Sequence, residues 1–208
     1  MKILIADDHL VVRKGLLQII REEFPEAEFM EANTGQEALE KLRAGSYQIA
    51  IIDITMPELN GMDVIRQLKA ENNKTPVLIL TSHPEDQYAI RVLKAGAAGF
   101  IGKEVAAEEL NTAIRKILSG RKYITESISE KMADDLSSDP TKAAHESLSD
   151  REFEVMTFLA AGKTVSEIAE VLFLSVPTVS TYRNRILKKL NVKNNAELMH
   201  YAISLKLA

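Results

Sequence analysis

The first 120 residues alternate short apolar runs with longer amphipathic ones. Runs at Ile3-Leu4-Ile5-Ala6, Glu28-Phe29-Met30-Glu31-Ala32, Ile49-Ala50-Ile51-Ile52, Val77-Leu78-Ile79-Leu80 and Gly99-Phe100-Ile101 predict five strands. Most are continuously apolar, as expected where helices cover both faces of a parallel sheet. Residues 9–24, 34–44, 61–71, 84–95 and 106–118 repeat apolar positions at helical spacing. Thr34 and Glu37 have capping-box spacing, and Gly45 and Gly96 stand where helix C-caps belong. Five βα units in series predict an α/β fold: a doubly wound, five-stranded parallel sheet of flavodoxin-like order.

Beyond residue 146 the strand pattern disappears. Residues 149–161, 164–172, 175–190 and 194–205 read as four helices, so this part is all-α. Ser149/Glu152, Thr164/Glu167 and Asn194/Glu197 have N-cap and N3 spacing, and Gly162-Lys163 makes a tight connection. The chain therefore divides into a first domain over 1–120, a linker over 121–146 and a second domain over 147–208.

Charge sharpens this division. Residues 1–122 carry 16 Lys/Arg against 18 Asp/Glu, residues 123–146 carry 2 against 6, and residues 147–208 carry 8 against 6. The acidic middle reads as a linker with one short helix around 127–136. The absence of cysteine excludes disulfides and thiolate metal sites. The amino terminus has too short an apolar run for a signal peptide, and no stretch approaches a membrane span. A soluble, cytoplasmic protein without membrane association is expected.

The strand ends hold the chemistry. In an open parallel sheet, ligands bind beyond the carboxyl ends of the strands. Asp7 and Asp8 end the first strand, Asp53 the third and Thr81 the fourth, and Lys103 follows the fifth. Acids at strand ends also serve as helix N-caps, and Asp8 is placed to cap the helix starting near His9. The joint occurrence of these groups, each after its strand, favours convergence on one edge. Three close carboxylates repel one another, and a hard divalent cation relieves this; few protein ligands favour Mg²⁺. Asp53 is then a nucleophile toward phosphorus. Asp8, Asp53 and a carbonyl near Thr55 would hold the metal, with Asp7 acting through water. Lys103 would add positive charge and Thr81 a hydroxyl hydrogen bond.

Asp7-Asp8, Asp53-Ile-Thr-Met-Pro-Glu-Leu-Asn-Gly, Leu80-Thr81-Ser82 and Gly99-Phe100-Ile-Gly-Lys103 together resemble the receiver domain of bacterial two-component response regulators. The resemblance implies that Asp53 accepts a phosphoryl group from a sensor histidine kinase. It implies too that Thr81 and Phe100 are a switch pair, the ring rotating inward as the hydroxyl moves. Glu104 stands where many receivers have proline, so a cis Lys-Pro bond is not expected. Thr55 and His83 lie where side chains can flank the attacking water, which suggests that His83 tunes phosphoryl lifetime.

In the second domain, Val179, Ile186, Leu187 and Leu190 can face a core, while Tyr182, Arg183, Arg185, Lys188 and Lys189 add donors. A short helix, a tight turn and a longer basic helix suit a helix-turn-helix entering the major groove. A charged stripe is also what any solvated helix face shows. Leu148-Ser-Asp-Arg-Glu152, Gly162-Lys-Thr-Val-Ser-Glu-Ile-Ala169, Leu174-Ser175 and Thr178-Val179 through Lys189-Leu190 resemble a LuxR-type helix-turn-helix. With the receiver, this implies the NarL/FixJ group, with double-stranded promoter DNA as partner and a homodimer on activation. The likeness implies DNA contacts at Thr178, Ser180, Thr181, Arg183, Asn184 and Lys188, with base reading mapped onto Ser180, Thr181 and Asn184. Arg183, Arg185, Lys188 and Lys189 are left as phosphate partners or structural charges. The last helix would be partly core and partly a dimer face. Two other readings compete: a Mg²⁺-dependent aspartyl-phosphate phosphatase, and a DNA-binding protein whose receiver is only a scaffold. Thr55 stands where such a phosphatase has its acid, and the intact acid set disfavours a scaffold.

Overall fold

The computed structural model describes residues 1–82, 85–126, 128–130, 132, 144–205 and 207. His83 lies outside them. The chain divides into two compact units, Met1–Ser137 and Ser138–Ala208.

In the first unit, β1 (Lys2–Ala6), β2 (Glu28–Ala32), β3 (Ile49–Ile52), β4 (Val77–Thr81) and β5 (Gly99–Gly102) form one sheet in the order β2-β1-β3-β4-β5. All pairings are parallel. The helices are α1 (Leu10–Glu23), α2 (Gly35–Ala44), α3 (Gly61–Ala70), α4 (Glu85–Ala95) and α5 (Ala106–Leu118). Alternate strand residues point to opposite faces. Ile3, Ile5, Ile49, Ile51, Leu78, Leu80 and Ile101 pack with Leu16, Leu17 and Ile20 of α1 and with Leu110, Ala113, Ile114 and Ile117 of α5. The residues between them, Leu4, Ala50, Ile52, Ile79 and Phe100, are equally buried and face the other side. Burial on both faces is why these strands read as unbroken apolar runs.

The helix starts follow the sequence with instructive differences. Thr34 accepts from Glu37 N at 3.1 Å, but Glu37 Oε2 reaches back to Asn33 N at 2.7 Å rather than to Thr34 N. Thr34 Oγ1 also donates to Glu58 Oε2 at 3.0 Å. Gly45 caps α2 in extended backbone, whereas Gly96 has φ +125° and needs glycine's freedom. The N-cap of α1 is His9, with no side-chain cap bond, so Asp8 does not serve as the cap.

Part of the expected linker belongs to the first unit. Tyr123 forms a β-bridge with Gly99 beside β5, and its hydroxyl donates to Glu109 Oε2 at 2.9 Å. Residues 126, 128–130 and 132 are helical and Ile128 is buried. The rest of the helix expected there lies outside the described residues.

The second unit contains α6 (Asp150–Ala160), α7 (Val165–Val171), α8 (Val176–Leu190) and α9 (Asn195–Ser204). Ser149/Glu152 and Thr164/Glu167 form complete capping boxes. Asn194 caps Glu197 N, but Glu197 bonds Lys193 N instead of completing the box. Phe153, Val155, Met156, Leu159, Ile168, Val179, Ile186 and Leu198 make the core.

Two glycines test the packing in opposite directions. A Cβ on Gly61 would lie 2.3 Å from the Asp53 carbonyl oxygen, whereas one on Gly15 meets nothing within 4 Å. Gly61→Ala is expected to destabilise the first unit by about 1–3 kcal/mol. Gly15→Ala, inside α1, is expected to stabilise it by about 0.5–1 kcal/mol. Amide hydrogen exchange in β3 and α1 of the full chain measures both.

Candidate functional site

Sheet register brings the strand-end groups to one edge. Ala6 pairs with Ile52, so Asp7 and Asp53 follow at the same level, and Asp53 N donates to Ala6 O at 2.9 Å. Ile52 pairs with Ile79, which puts Thr81 just beyond, and Thr81 pairs with Gly102, which delivers Lys103. Lys103 Nζ lies 2.7 Å from Asp53 Oδ2 and 2.7 Å from Asp7 Oδ2. Asp53 is 5 % exposed, and Asp7 and Thr81 are each 1 % exposed. Asp53 Oδ1 accepts from Ile54 N at 2.7 Å, which fixes the carboxylate plane.

The loop after Asp53 is folded back onto it. Gly61 N donates to Ile54 O at 2.9 Å, and Asn60 Oδ1 accepts from Asp63 N at 2.8 Å to cap α3. Glu58 has φ +67°, and Leu59 N donates to Pro57 O at 2.8 Å, a tight turn seldom made by a non-glycine residue. Thr55, half-buried, lies in this loop. Sequence reasoning missed the Asn60 cap, although Asn60 stands three residues before Asp63, the spacing of a cap. The close approach of Gly61 to Asp53 had no local signal.

Electrostatics set two opposing demands on Asp53. Burial pushes its carboxyl up to about 6, while Lys103 and the Ile54 N–H pull the other way. Burial likewise works against the Lys103 charge, but Asp53 and Asp7 outweigh it and hold the ammonium above its usual range. The site thus keeps a basic, poorly hydrated oxygen next to a fixed cation.

The acid pair has capacity to spare. Asp7 Oδ2 and Asp8 Oδ1 are shielded from solvent without an aligned hydrogen bond. Lys103 Nζ touches the first, and His9 Nδ1 stands 2.8 Å from the second. Ligand atoms of Asp7, Asp8 and His9 lie within 4.8 Å of one another. Under-coordinated carboxylate oxygens in a cluster fit a hard divalent cation. His9 was not among the expected site residues; its nearness follows from the Asp7-Asp8-His9 turn, where His9 N donates to Asp7 Oδ1 at 2.8 Å.

Phe100, on β5, is 1 % exposed. No peptide bond among the described residues is cis, and a 3-10 turn over Lys103–Val105 leads into α5.

In the second unit, α8 carries the expected contact residues. Thr178 Oγ1 lies 2.7 Å from Ser175 Oγ. Thr181 and Asn184 are exposed, and Thr178, Ser180 and Arg183 half-buried. Arg183 Nε donates to Asn195 Oδ1 at 2.7 Å, tying α8 to α9. Lys189 Nζ bonds Glu152 Oε2 at 2.6 Å and Ser147 O at 3.2 Å, which makes it a structural charge. Arg185 and Lys188 remain exposed cations. Leu198 and Ala202 of α9 are core, whereas Ile203 is exposed.

An acid pocket at the carboxyl edge of a parallel sheet and a separate helix-turn-helix define a two-part regulator. The family described as "Response regulator receiver domain" matches residues 3–115, and "Bacterial regulatory proteins, luxR family" matches residues 146–202. The response regulator UvrY of Escherichia coli O6:H1 (strain CFT073) is 35 % identical over 202 residues, covering 97 % of this chain and 93 % of UvrY. The oxygen regulatory protein NreC of Staphylococcus haemolyticus (strain JCSC1435) is 35 % identical over 218 residues, covering 100 % of this chain and 99 % of NreC. Among solved structures, RcsB of Salmonella enterica serovar Typhimurium, bound to promoter rprA with the phosphomimetic BeF₃⁻, superposes with a TM-score of 0.64. It is 25 % identical and covers 98 % of this chain and 99 % of its own. The chain belongs to the NarL/FixJ-type response regulators, which join a receiver domain to a LuxR-type DNA-binding domain.

The Glu152–Lys189 pair supplies a pH test of the second unit. Burial works against the Glu152 charge, but bonds from Lys189 and Ser149 prevail and hold its carboxyl below the usual range. A carboxylate depressed on folding stabilises above its unfolded pKa, and that stability is lost as pH falls through the folded value. Glu152→Gln is expected to cost about 1.5–3 kcal/mol at neutral pH. The gap to wild type closes as pH falls below the ordinary glutamate range, followed by hydrogen exchange of α6 and α8.

Proposed function

We propose that Asp53 is the phosphoacceptor of a phosphorylation-switched transcription factor. The observation that carries this reading is the Lys103 ammonium held 2.7 Å from both Asp53 and Asp7 at the mouth of the sheet. An Asp53 oxygen attacks phosphorus, forming an O–P bond while the bond to the donor breaks and its electrons leave with the departing group. Lys103 neutralises charge on the incoming phosphoryl oxygens, and Thr81 supplies a hydroxyl to one of them. Asp8, Asp53 and the Thr55 carbonyl would hold Mg²⁺, with Asp7 acting through water, and the ion would supply further charge stabilisation. The donor is a sensor histidine kinase, and the protein works in the cytoplasm.

The phosphoryl group adds about two negative charges to a buried edge. Thr81 responds first, lying on β4 directly beside β5. Phe100 is the second half of the switch, its ring rotating inward as the Thr81 hydroxyl moves toward the phosphoryl group. Altered receiver contacts promote a homodimer, which sets two helix-turn-helix units on DNA half-sites about one helical turn apart. Ser180, Thr181 and Asn184 read bases, Thr178 lies at the leading turn, and Lys188 with Arg185 meets phosphates. Arg183 supports the reading helix from behind through Asn195.

Incubation with acetyl phosphate and Mg²⁺ is expected to add one phosphoryl group by intact mass. Asp53→Asn or removal of the metal by chelation abolishes the adduct. Lys103→Ala slows its formation by about 10²–10³-fold. Promoter fragments bound identically by phosphorylated and unphosphorylated protein would refute the switch.

A further inference from the structure

The helix α8 has two faces. Val179, Ile186 and Leu190 are buried, while Val176, Pro177, Thr181, Asn184 and Lys188 are exposed. The helical repeat places Val176, Ser180 and Asn184 in one row, beside a second row holding Pro177 and Thr181. The hydroxyls of Ser175, Thr178 and Thr181 are spent on the helix itself. Ser175 Oγ caps Thr178 N at 3.2 Å and also meets Thr178 Oγ1, and Thr181 Oγ1 donates to Pro177 O at 3.0 Å. Pro177 has no N–H to offer. What the first turn presents outward is therefore largely aliphatic: Val176, 46 % exposed, and the Pro177 ring.

Valine at an exposed helix start neither fills the core nor favours the helix over alanine. In a helix-turn-helix, however, the first residues of the second helix reach the base edges. The apolar group displayed in the major groove is the thymine C5-methyl. We infer that Val176 reads a thymine methyl group and so determines sequence specificity beyond Ser180, Thr181 and Asn184. The surface is continuous with the DNA face already assigned to α8, and the inference rests on that DNA-binding reading.

The test uses the full chain with acetyl phosphate and Mg²⁺ to enrich duplexes from a random pool. The enriched site is then resynthesised with uracil replacing thymine one position at a time, which removes only the methyl. A single uracil at the contacted position is expected to weaken wild type about fourfold, and the same replacement leaves Val176→Ala and Val176→Ser unaffected. Equal tolerance of every uracil by wild type, or undiminished uracil sensitivity in Val176→Ala, overturns the inference alone. If no duplex is enriched, the DNA-binding reading fails and this inference fails with it.

Discussion

The Lys103 ammonium between Asp7 and Asp53 is the contact on which the receiver site depends. Three strands end within reach of it, and two of them end in a carboxylate that the fold has removed from water. Without a cation those carboxylates would repel one another and seek protons or solvent. With Lys103 present, burial makes the Asp53 oxygen more basic while the ammonium keeps it charged. The same ion pair ties the end of β5 to the ends of β1 and β3.

The second unit solves a different problem, that of giving a small helical domain defined ends and a defined surface. Side-chain caps at Ser149, Thr164, Ser175 and Asn194 satisfy helix N-termini that the limited core cannot shelter. Its cations are sorted by neighbours: Lys189 neutralises the buried Glu152, and Arg183 braces α9, while Arg185 and Lys188 face solvent. A charge that is already paired is costly to redirect to a phosphate, so the pairing decides which cations are available to DNA.

Much of this was legible in the sequence. The five strands are buried on both faces, which writes them as apolar runs, and the reactive groups stand where those runs stop. The sequence pattern therefore places Asp7, Asp53, Thr81 and Lys103 on one edge. Local hydrogen bonds were less legible. Thr34 and Asn194 have the spacing of full capping boxes, yet Glu37 and Glu197 bond the preceding residue, Asn33 or Lys193, instead. For Asp8, the capping role and the cluster role share one sequence signal; the turn geometry at His9 separated them.

The sequence by itself determined which segments become strands and helices, because periodic burial and capping act over a few residues. It also determined which functional groups the strand ends carry. Tertiary structure decided the strand register, the approach of Gly61 to the Asp53 carbonyl, the burial of Phe100 and the division of the basic side chains into paired and exposed. Those outcomes join residues tens of positions apart, and no local pattern encodes them. They follow from how the sheet pairs and from which carboxylates the folded core leaves in need of a cation.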